Sequence, residues 1–184
     1  RLVGFEFHRG VLACAPRPSW PAPDWERLVH QPRATVLALS AIGDPANLGS
    51  LIRSARALAC DLILLDARCT DPLSRRAIRG SMGHVFAQPI AQTADLHHEI
   101  ASSRDLGVKW WASTPRSQAR PVLQAAANRP AHCGLMVGHE VFGLASTLIE
   151  AADQEVTIPM ANGVDSLGVA AATAAILVAM AAFD

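Results

Sequence analysis

Short apolar runs of strand length alternate with patterns of helical period from residue 34 to residue 182, and this alternation constrains the fold more than any other feature. The strand-type runs lie at residues 35–39, 62–65, 85–90, 108–112, 134–137 and 155–158. The helix-type patterns lie at residues 48–59, 72–79, 94–106, 121–127, 144–151 and 166–182. Strands that alternate with helices usually pair in parallel and are covered by helices. We therefore predict an α/β fold, with a mostly parallel sheet and helices on both faces.

The first 33 residues differ in composition from the rest of the chain. They hold five of the twelve prolines and two of the four tryptophans, which predicts an extended linker rather than a helix. The chain has 184 residues, of which 51% are hydrophobic, and this suffices for one compact core. We therefore predict a linker or N-terminal extension over residues 1–33 and a single folded domain over residues 34–184.

Charge is balanced over the whole chain but not along it. Sixteen basic residues match sixteen acidic ones, so no global positive field indicates a polyanionic partner. Residues 1–80 carry eleven arginines against seven acidic residues, whereas residues 81–184 carry five basic residues against nine acidic ones. The N-terminal half is therefore the half that we expect to face a polyanion.

The cysteines and the apolar segments argue against two classes of protein. Cys14, Cys60, Cys69 and Cys133 lack C-x-x-C spacing and follow no signal peptide, so we expect reduced thiols, no metal site and a cytoplasmic location. The longest apolar stretch, residues 167–183, has only 17 residues, most of them small. A bilayer span needs about 20 strongly apolar residues, so we predict a buried or interfacial helix there and no membrane partner.

Three loops between predicted strands and helices are rich in Gly, Pro and polar residues. They are residues 40–49 (SAIGDPANLG), 138–143 (GHEVFG) and 159–168 (PMANGVDSLG). Parallel sheets bind ligands at the carboxyl ends of their strands, so we expect these loops to form the functional site. None carries G-x-G-x-x-G or G-x-x-x-x-G-K-[ST], which argues against a Rossmann-type nucleotide enzyme that acts on a small molecule.

Together with their flanks, these loops resemble the signature motifs of one enzyme family. The segments are GDPANLGSLIRSARAL at 43–58, LMVGHEVFGLA at 135–145 and VTIPMANGVDSLGVAAATAAI at 156–176. The segment DPLSRRAIRGSMGHVF at 71–86 is similar to the family's stretch between the first two motifs. In this order and at this spacing, residues 34–182 resemble the SpoU (TrmH-like) branch of the SPOUT RNA methyltransferases, so the domain over 34–184 is predicted to be a SPOUT methyltransferase catalytic domain.

The resemblance implies an activity and an assembly. Members transfer a methyl group from S-adenosylmethionine to a ribose 2′-hydroxyl of ribosomal or transfer RNA. Their C-terminal segment, here about residues 134–182, threads a loop to form a deep trefoil knot, and they are typically homodimers. Many also carry an upstream RNA-binding domain. The start at Arg1, with residues 2–14 similar to a connecting segment, predicts that this domain is absent from the chain.

Four side chains in these loops are candidates for catalysis. The resemblance implies that Asn47 and Arg53 form the catalytic pair and that Glu140 and Ser166 belong to the same site. Arg53 lies off the apolar stripe of its helix, so it should face the site. Asn47 is also a good N-cap, and Glu140 is a candidate cap for the helix near Leu144. The resemblance implies that Glu140 lies near the RNA or the cofactor, where it can anchor Asn47 or Arg53, and the two roles are compatible. Ser166 is the predicted N-cap of the last helix.

The chemistry of a ribose hydroxyl limits what Arg53 can do. The hydroxyl is a poor nucleophile near neutral pH, so a group must remove or share its proton. Arg is almost always protonated and is therefore a poor general base. We expect Arg53 to hold the target phosphate or ribose and to stabilise the developing alkoxide. The family's proposal of Arg as the base stays open, and His139 is a weaker candidate for that role.

The cofactor and RNA contacts complete the predicted site. The resemblance implies that S-adenosylmethionine contacts Leu135, Gly138, Ile158, Met160 and Leu167, and that Gly138 leaves room for its ribose and methionine parts. RNA is expected to contact one short helix and the turn after it, at Arg75, Arg76, Arg79 and Ser81. Trp110 and Trp111 lie on a predicted strand and are expected in the core rather than against a base.

One position departs from the family. The third motif usually reads Ser-Leu-Asn, whereas here it reads Ser166-Leu167-Gly168. Gly lacks the side-chain amide that the family uses, so either another group replaces its hydrogen bond or transfer is impaired. Gly168 has a second explanation, namely that it allows closer helix packing. The alternative function is therefore a non-catalytic knotted RNA-binding or assembly protein.

Overall fold

The computed structural model describes residues 15–181, and its centre is a seven-stranded sheet. The strands are β1 (Ala34–Leu39), β2 (Leu62–Asp66), β3 (Ile90–Thr93), β4 (Lys109–Ser113), β5 (Arg120–Pro121), β6 (His132–Val137) and β7 (Gln154–Thr157). They run in the order β3-β2-β1-β6-β4-β7-β5, and all six neighbouring pairs are parallel. The prediction of a mostly parallel sheet is confirmed.

Helices cover both faces of this sheet. They are α1 (Trp25–Val29), α2 (Pro45–Ala57), α3 (Arg75–Gly80), α4 (Leu96–Asp105), α5 (Val122–Ala126), α6 (Ser146–Glu150) and α7 (Val169–Ala181). Alternate side chains of β1 enter two separate cores, as expected for a strand buried on both sides. Leu37 and Leu39 belong to the core that includes α2, α5 and α7, whereas Val36 and Ala38 belong to the core that includes α1, α4 and α6.

The predicted strand over residues 85–90 is wrong. Residues His84–Phe86 form one 3-10 turn, and β3 begins only at Ile90. Gly83, whose φ is 79°, supplies the left-handed conformation that starts this turn. Val85 is buried while Phe86 is 66% exposed, so the apolar run has one buried side. A run this short does not distinguish a strand from a helical turn by its periodicity.

The expectation of extended chain before residue 34 is wrong at α1. Asp24 caps this short helix by accepting a hydrogen bond from the backbone of Arg27 (3.0 Å). Trp25 is buried edge-on against Trp110, and its indole nitrogen donates to Glu99 (2.8 Å). Residues 1–14 lie outside the described part of the chain, so the connecting segment and the division at residue 33 stay predictions.

Several remaining expectations concern the body of the fold. Trp110 and Trp111 are buried in the core, as predicted. Cys60, Cys69 and Cys133 are free, and burial raises the pKa of each thiol to about 12, whereas Cys14 lies outside the described residues. Across residues 15–181, no helix is both long enough and apolar enough to cross a membrane. In the same part of the chain, His, Cys, Asp and Glu form no group of three or more that could hold a metal ion.

Candidate active site

The first two loops begin side by side at the carboxyl edge of the sheet. Their strands, β1 and β6, are neighbours, and Leu39 pairs with Val137 at the last step of the register. The amide of Ser40 continues the ladder by donating to the carbonyl of Val137 (2.9 Å). Residues 40–49 and 138–143 therefore leave the sheet together although about 100 residues separate them in sequence.

A cavity of about 200 Å³ lies where the second and third loops meet. Its lining includes six residues of the predicted site, namely Gly138, Glu140, Ile158, Met160, Ser166 and Leu167. The strand ends beneath them contribute Ser113, Thr114, Val137 and Thr157, and α7 contributes Val169 and Ala172. The structure thus brings together residues from the ends of β4, β6 and β7, as binding at the carboxyl edge of a parallel sheet requires.

The carboxylate of Glu140 joins this cavity to the first loop. It accepts hydrogen bonds from Asn47 Nδ2 (3.0 Å) and from the backbone amides of Asp44 (3.3 Å) and Gly43 (3.4 Å). Anchoring of Asn47 is one of the two roles that we expect for Glu140 from the sequence. The other role, a cap for the helix near Leu144, is wrong, because α6 begins at Ser146 and has no side-chain cap.

These hydrogen bonds also set the ionisation of Glu140. Partial burial by itself would raise the pKa of its carboxyl group. The hydrogen bond from Asn47 and those from nearby backbone amides outweigh burial and hold the pKa below its ordinary value. Glu140 is therefore a carboxylate near neutral pH, where it acts as an acceptor and a fixed negative charge.

The start of α2 differs from its prediction by three residues. Asp44 is the N-cap, accepting from the amide of Ala46 (2.9 Å), and Pro45 occupies the first helical position. Asn47 lies within the first turn, so the prediction that it caps the helix is wrong. Its side-chain NH2 group donates to Glu140 from this position.

A second carboxylate, Asp66 at the end of β2, shapes the same loop and was missed in the sequence. It accepts from Ser40 Oγ (2.8 Å) and from the amide of Ala41 (3.0 Å), whose φ of 56° is left-handed. Arg68 adds a contact to the same carboxylate at 2.8 Å. Burial would raise the pKa of Asp66, but these hydrogen bonds lower it below its ordinary value. The signal was weak, since one Asp after an apolar strand is common.

Gly138 has a different role from the predicted one. A Cβ placed on it would lie 2.3 Å from the carbonyl carbon and oxygen of Gly143, so the space beside its α-carbon is filled by backbone. The loop folds back on itself there, with His139 and Gly143 exchanging two backbone hydrogen bonds (2.8 and 3.1 Å). Gly138 lines the cavity, but it is needed for this turn rather than to leave room for a ligand.

Two other predicted contact residues are buried away from any ligand. Leu135, predicted to contact the cofactor, is fully buried within β6 and does not line the cavity. Ser81, predicted to contact RNA, is also fully buried, and its hydroxyl donates to the carbonyl of Ile78 (3.0 Å). It follows α3 at the point where this helix packs on Gly49, so the prediction of a direct RNA contact is wrong.

The predicted RNA-contacting arginines are exposed on α3. Arg75, Arg76 and Arg79 all face solvent, and Arg76 lies 3.9 Å from Asp44 at the start of α2. Arg53 is exposed on α2, and the described residues give it no hydrogen-bonding or ionic partner. Among the described residues, Arg53 forms no hydrogen bond with Asn47 and does not line the cavity.

The end of the third loop also departs from its prediction. Helix α7 begins at Val169, and its first backbone hydrogen bond runs from Ala172 to the carbonyl of Gly168 (3.0 Å). Ser166 lies before that point, so it is not the N-cap, although it lines the cavity. A Cβ added at Gly168 would meet no atom of residues 15–181 within 4 Å. The explanation that Gly168 allows closer helix packing is therefore wrong.

The chain is similar in sequence and in fold to known RNA methyltransferases. Residues 34–178 match the SpoU rRNA Methylase family. An uncharacterized tRNA/rRNA methyltransferase of Mycobacterium tuberculosis is 40% identical over 175 residues, which are 95% of this chain and 60% of that protein. The crystal structure of an AdoMet-bound rRNA methyltransferase from Sinorhizobium meliloti superposes with a TM-score of 0.78 at 32% identity, covering 87% of this chain and 60% of that one.

A further solved structure carries a more specific description. It is that of an RNA 2′-O ribose methyltransferase, which superposes with a TM-score of 0.73 at 30% identity, covering 83% of this chain and 57% of that one. The chain thus spans about three fifths of the length of the relatives that it matches. The resemblance seen in the motifs is confirmed, and this chain belongs to the SpoU rRNA methylase family.

Proposed function

We propose that this chain catalyses S-adenosylmethionine-dependent methyl transfer to a ribose 2′-hydroxyl of ribosomal or transfer RNA. The observation that carries the proposal is the hydrogen bond between Asn47 and Glu140 (3.0 Å), which joins the first loop to the wall of the cavity. A hydroxyl bound at α2 is thereby held next to a ligand in the cavity, as transfer between two bound molecules requires. The descriptions of the relatives and of the solved structures support the same activity.

The residues of the cavity fit S-adenosylmethionine. Apolar side chains of Ile158, Met160 and Leu167 line it together with backbone groups, which suits an adenosine moiety. Of the described residues that line it, Glu140 is the one that carries a carboxylate, and its negative charge favours a nearby cation. When bound, the cofactor supplies an electrophilic methyl group on a positively charged sulfur. The chain contributes orientation, because the hydrogen bond between Asn47 and Glu140 joins the two sides of the site.

Arg53 is proposed to bind the substrate rather than to accept its proton. Its guanidinium is exposed and, among the described residues, has no partner to release before it binds RNA. A protonated guanidinium stabilises both a phosphate and a developing alkoxide, and it does so with paired donors. The proton of the hydroxyl then leaves through a phosphate oxygen of the RNA or through water. Asn47 is held by Glu140 at the start of the same helix, where it can orient the ribose.

The wider RNA surface is proposed to be the exposed side of α3. Arg75, Arg76 and Arg79 lie there without burial, and Arg76 approaches the N-cap of α2. Exposed arginines bind phosphates and make the affinity fall as salt rises. Replacing all three by Gln is therefore expected to weaken RNA binding and to flatten its salt dependence, which filter binding at several salt concentrations would measure.

Three finer features are proposed together with the activity, namely a C-terminal trefoil knot, a homodimer and a cytoplasmic location. Family membership supports all three. Helix α7 adds support for the dimer, because Ala171, Ala175 and Val178 are exposed on one face of it. A face of small apolar side chains suits close packing against a second copy. Sedimentation velocity of the wild type and of Val178→Arg would test that contact.

Gly168 is proposed to modify the activity rather than to abolish it. The relatives that the chain matches are described as methyltransferases, so the comparisons do not support the non-catalytic alternative. The open space beside Gly168 leaves room for water, or for a group of the RNA, to replace the missing amide.

The test is transfer of tritium from labelled S-adenosylmethionine to unmodified ribosomal and transfer RNA, followed by mapping of the modified position. We expect an alkali-resistant dinucleotide, which identifies a 2′-O-methyl group. Label on a base would refute the ribose specificity. Absence of cofactor binding in calorimetry would refute the proposed enzymatic activity. If Asn47→Ala loses methyl transfer but still binds the cofactor, Asn47 acts on the substrate side of the site.

A further inference from the structure

The tip of the loop beside the cavity presents an exposed aromatic side chain. Phe142 is 84% exposed and the adjoining Val141 is 79% exposed. A single exposed apolar residue needs no special explanation. Here, however, the residues on both sides of Phe142 line the cavity. The ring is therefore held at the rim of the proposed active site, where a bound substrate can cover it.

The loop holds this ring in a fixed position. His139 and Gly143 close the loop through two backbone hydrogen bonds, and Gly143 adopts a left-handed φ of 67°. The ring nitrogen Nδ1 of His139 lies 2.9 Å from the amide of Val141 and 3.4 Å from that of Phe142. Since both amides are donors, Nδ1 accepts both hydrogen bonds. The His139 ring also packs on that of Phe142, with centroids 4.8 Å apart.

The surroundings of this loop favour a nucleic acid over an apolar partner. Glu140, two residues before Phe142, is bonded to the start of α2, and Arg76 lies 3.9 Å from Asp44 at that same place. An exposed aromatic ring on this loop, together with exposed arginines on α3, is the combination that binds single-stranded nucleic acid, through stacking and phosphate contacts. A partner that buried only apolar surface would leave the arginines without a role.

We propose that Phe142 is the surface on which the base of the target nucleotide stacks, and that His139 is the residue that positions it. The proposal rests on the proposed function, since it places the ribose of that nucleotide at the cavity. A ribose in the site carries its base to the rim, because the two are directly bonded. A base taken out of its stack loses its neighbours, and an aromatic ring replaces part of that loss.

The test compares side chains at position 142 in the tritium-transfer assay with unmodified ribosomal and transfer RNA. Stacking on an aromatic ring contributes about 1–3 kcal/mol per base, so Phe142→Ala is expected to raise KM for RNA about 5- to 150-fold. Phe142→Trp keeps a stacking surface and is expected to stay close to the wild type. Phe142→Leu keeps apolar bulk without the ring and is expected to behave like Phe142→Ala. Leu123→Ala, which truncates a 65% exposed side chain on α5, is the matched control.

His139 is tested through rescue. Asn places an amide oxygen close to the position of Nδ1, so His139→Asn is expected to retain the loop and the KM for RNA, whereas His139→Ala is expected to raise that KM. A general loss of folding would instead lower kcat and the thermal midpoint in both variants, and would refute the positioning role.

The outcomes separate this proposal from the proposed function. If the wild type transfers no methyl group to RNA, both are overturned. If the wild type is active and Phe142→Leu equals the wild type in KM, the stacking role is refuted while the function stands. If Phe142→Ala changes the sedimentation coefficient from that of a dimer to that of a monomer, Phe142 contacts a second copy and the stacking role is refuted. Unchanged sedimentation and cofactor affinity, with a raised KM for RNA, support the proposal.

Discussion

Replacement of Glu140 tests how strongly the cavity wall and the first loop depend on each other. The carboxylate accepts one good hydrogen bond, from Asn47 at 3.0 Å, and two longer ones, from Asp44 at 3.3 Å and Gly43 at 3.4 Å. A hydrogen bond to a charged group contributes about 1.5–3 kcal/mol, and a negative charge at a helix N-terminus about 0.3–1 kcal/mol. With the two longer bonds counted as weak, Glu140→Ala is expected to lower the free energy of unfolding by about 2–4 kcal/mol.

The assay is urea unfolding of Glu140→Ala, Asn47→Ala and the double variant. Because the two side chains bind each other, the losses of unfolding free energy in the two single variants are expected to add up to more than the loss in the double variant, by about 1–2 kcal/mol. Glu140→Gln keeps the shape of the side chain but brings an NH2 group towards three donors. The stability of this variant should therefore lie between those of the wild type and Glu140→Ala. Additive effects of Glu140→Ala and Asn47→Ala would refute the assignment of Glu140 as the anchor of Asn47.

The same contact predicts a dependence on pH. The pKa of Glu140 is lower in the folded protein than in the unfolded chain, so its contribution is complete above the ordinary pKa of about 4.3. That contribution is lost as the pH falls through the folded value. The difference in stability between the wild type and Glu140→Gln should therefore shrink from pH 6 towards pH 3. The measurement compares the two proteins rather than following the wild type alone, because the pKa of Asp66 is also lowered and its contribution to stability is also lost on acidification. Asp66 is present in both proteins, so its effect cancels in the difference. A difference that stays constant with pH would contradict this origin.

Three further changes are predicted. Gly49→Ala places a Cβ 2.6 Å from the carbonyl oxygen of Ala77, so α3 must move and the urea midpoint should fall by the equivalent of about 1–3 kcal/mol; an unchanged midpoint would refute the close approach. Gly168→Asn places its side chain in open space, so the free energy of unfolding should change by less than about 0.5 kcal/mol. If the missing amide limits methyl transfer, this variant should also raise the transfer rate. A large fall in stability would show that the space is not open. Arg53→Lys should lower kcat/KM for RNA because Lys lacks paired donors, and near-normal turnover at every pH tested would rule out a bidentate role.

The resemblance to the family, rather than residue spacing, implies that Ile158, Met160 and Leu167 contact the cofactor and that Ser166 belongs to the same site. All four follow β7, and the loops after parallel strands meet at one edge of the sheet, which explains why the structure places them around one cavity. Arg75 and Arg79 are predicted to lie on one short helix. The structure exposes both, because a surface of charged side chains is the default for a short helix.

The sequence did not predict what depends on backbone packing. Ser81 reads as a polar turn residue, yet α3 packs so closely on α2 that Gly49 has no room for a Cβ and Ser81 is buried behind it. Gly138 is predicted to leave room for a ligand, yet the backbone of Gly143 occupies the space beside its α-carbon. In both cases the residue type indicates a close approach, and only the tertiary structure shows which group approaches.

The pairing of Asn47 with Glu140 depends on the strand order, and this order has a functional consequence. β6 lies beside β1, so a residue 93 positions away in sequence supplies the anchor for the first turn of α2. The carboxylate of Glu140 lines the cavity on one side and accepts a hydrogen bond at the start of α2 on the other. A ligand in the cavity that favours this position of Glu140 is expected to favour the position of Asn47 that is hydrogen-bonded to it. By the same coupling, RNA that contacts α2 is expected to favour the formed cavity, because coupling between two sites is reciprocal. Cofactor affinity should therefore rise in the presence of RNA, and Glu140→Ala should remove that increase while each ligand still binds alone.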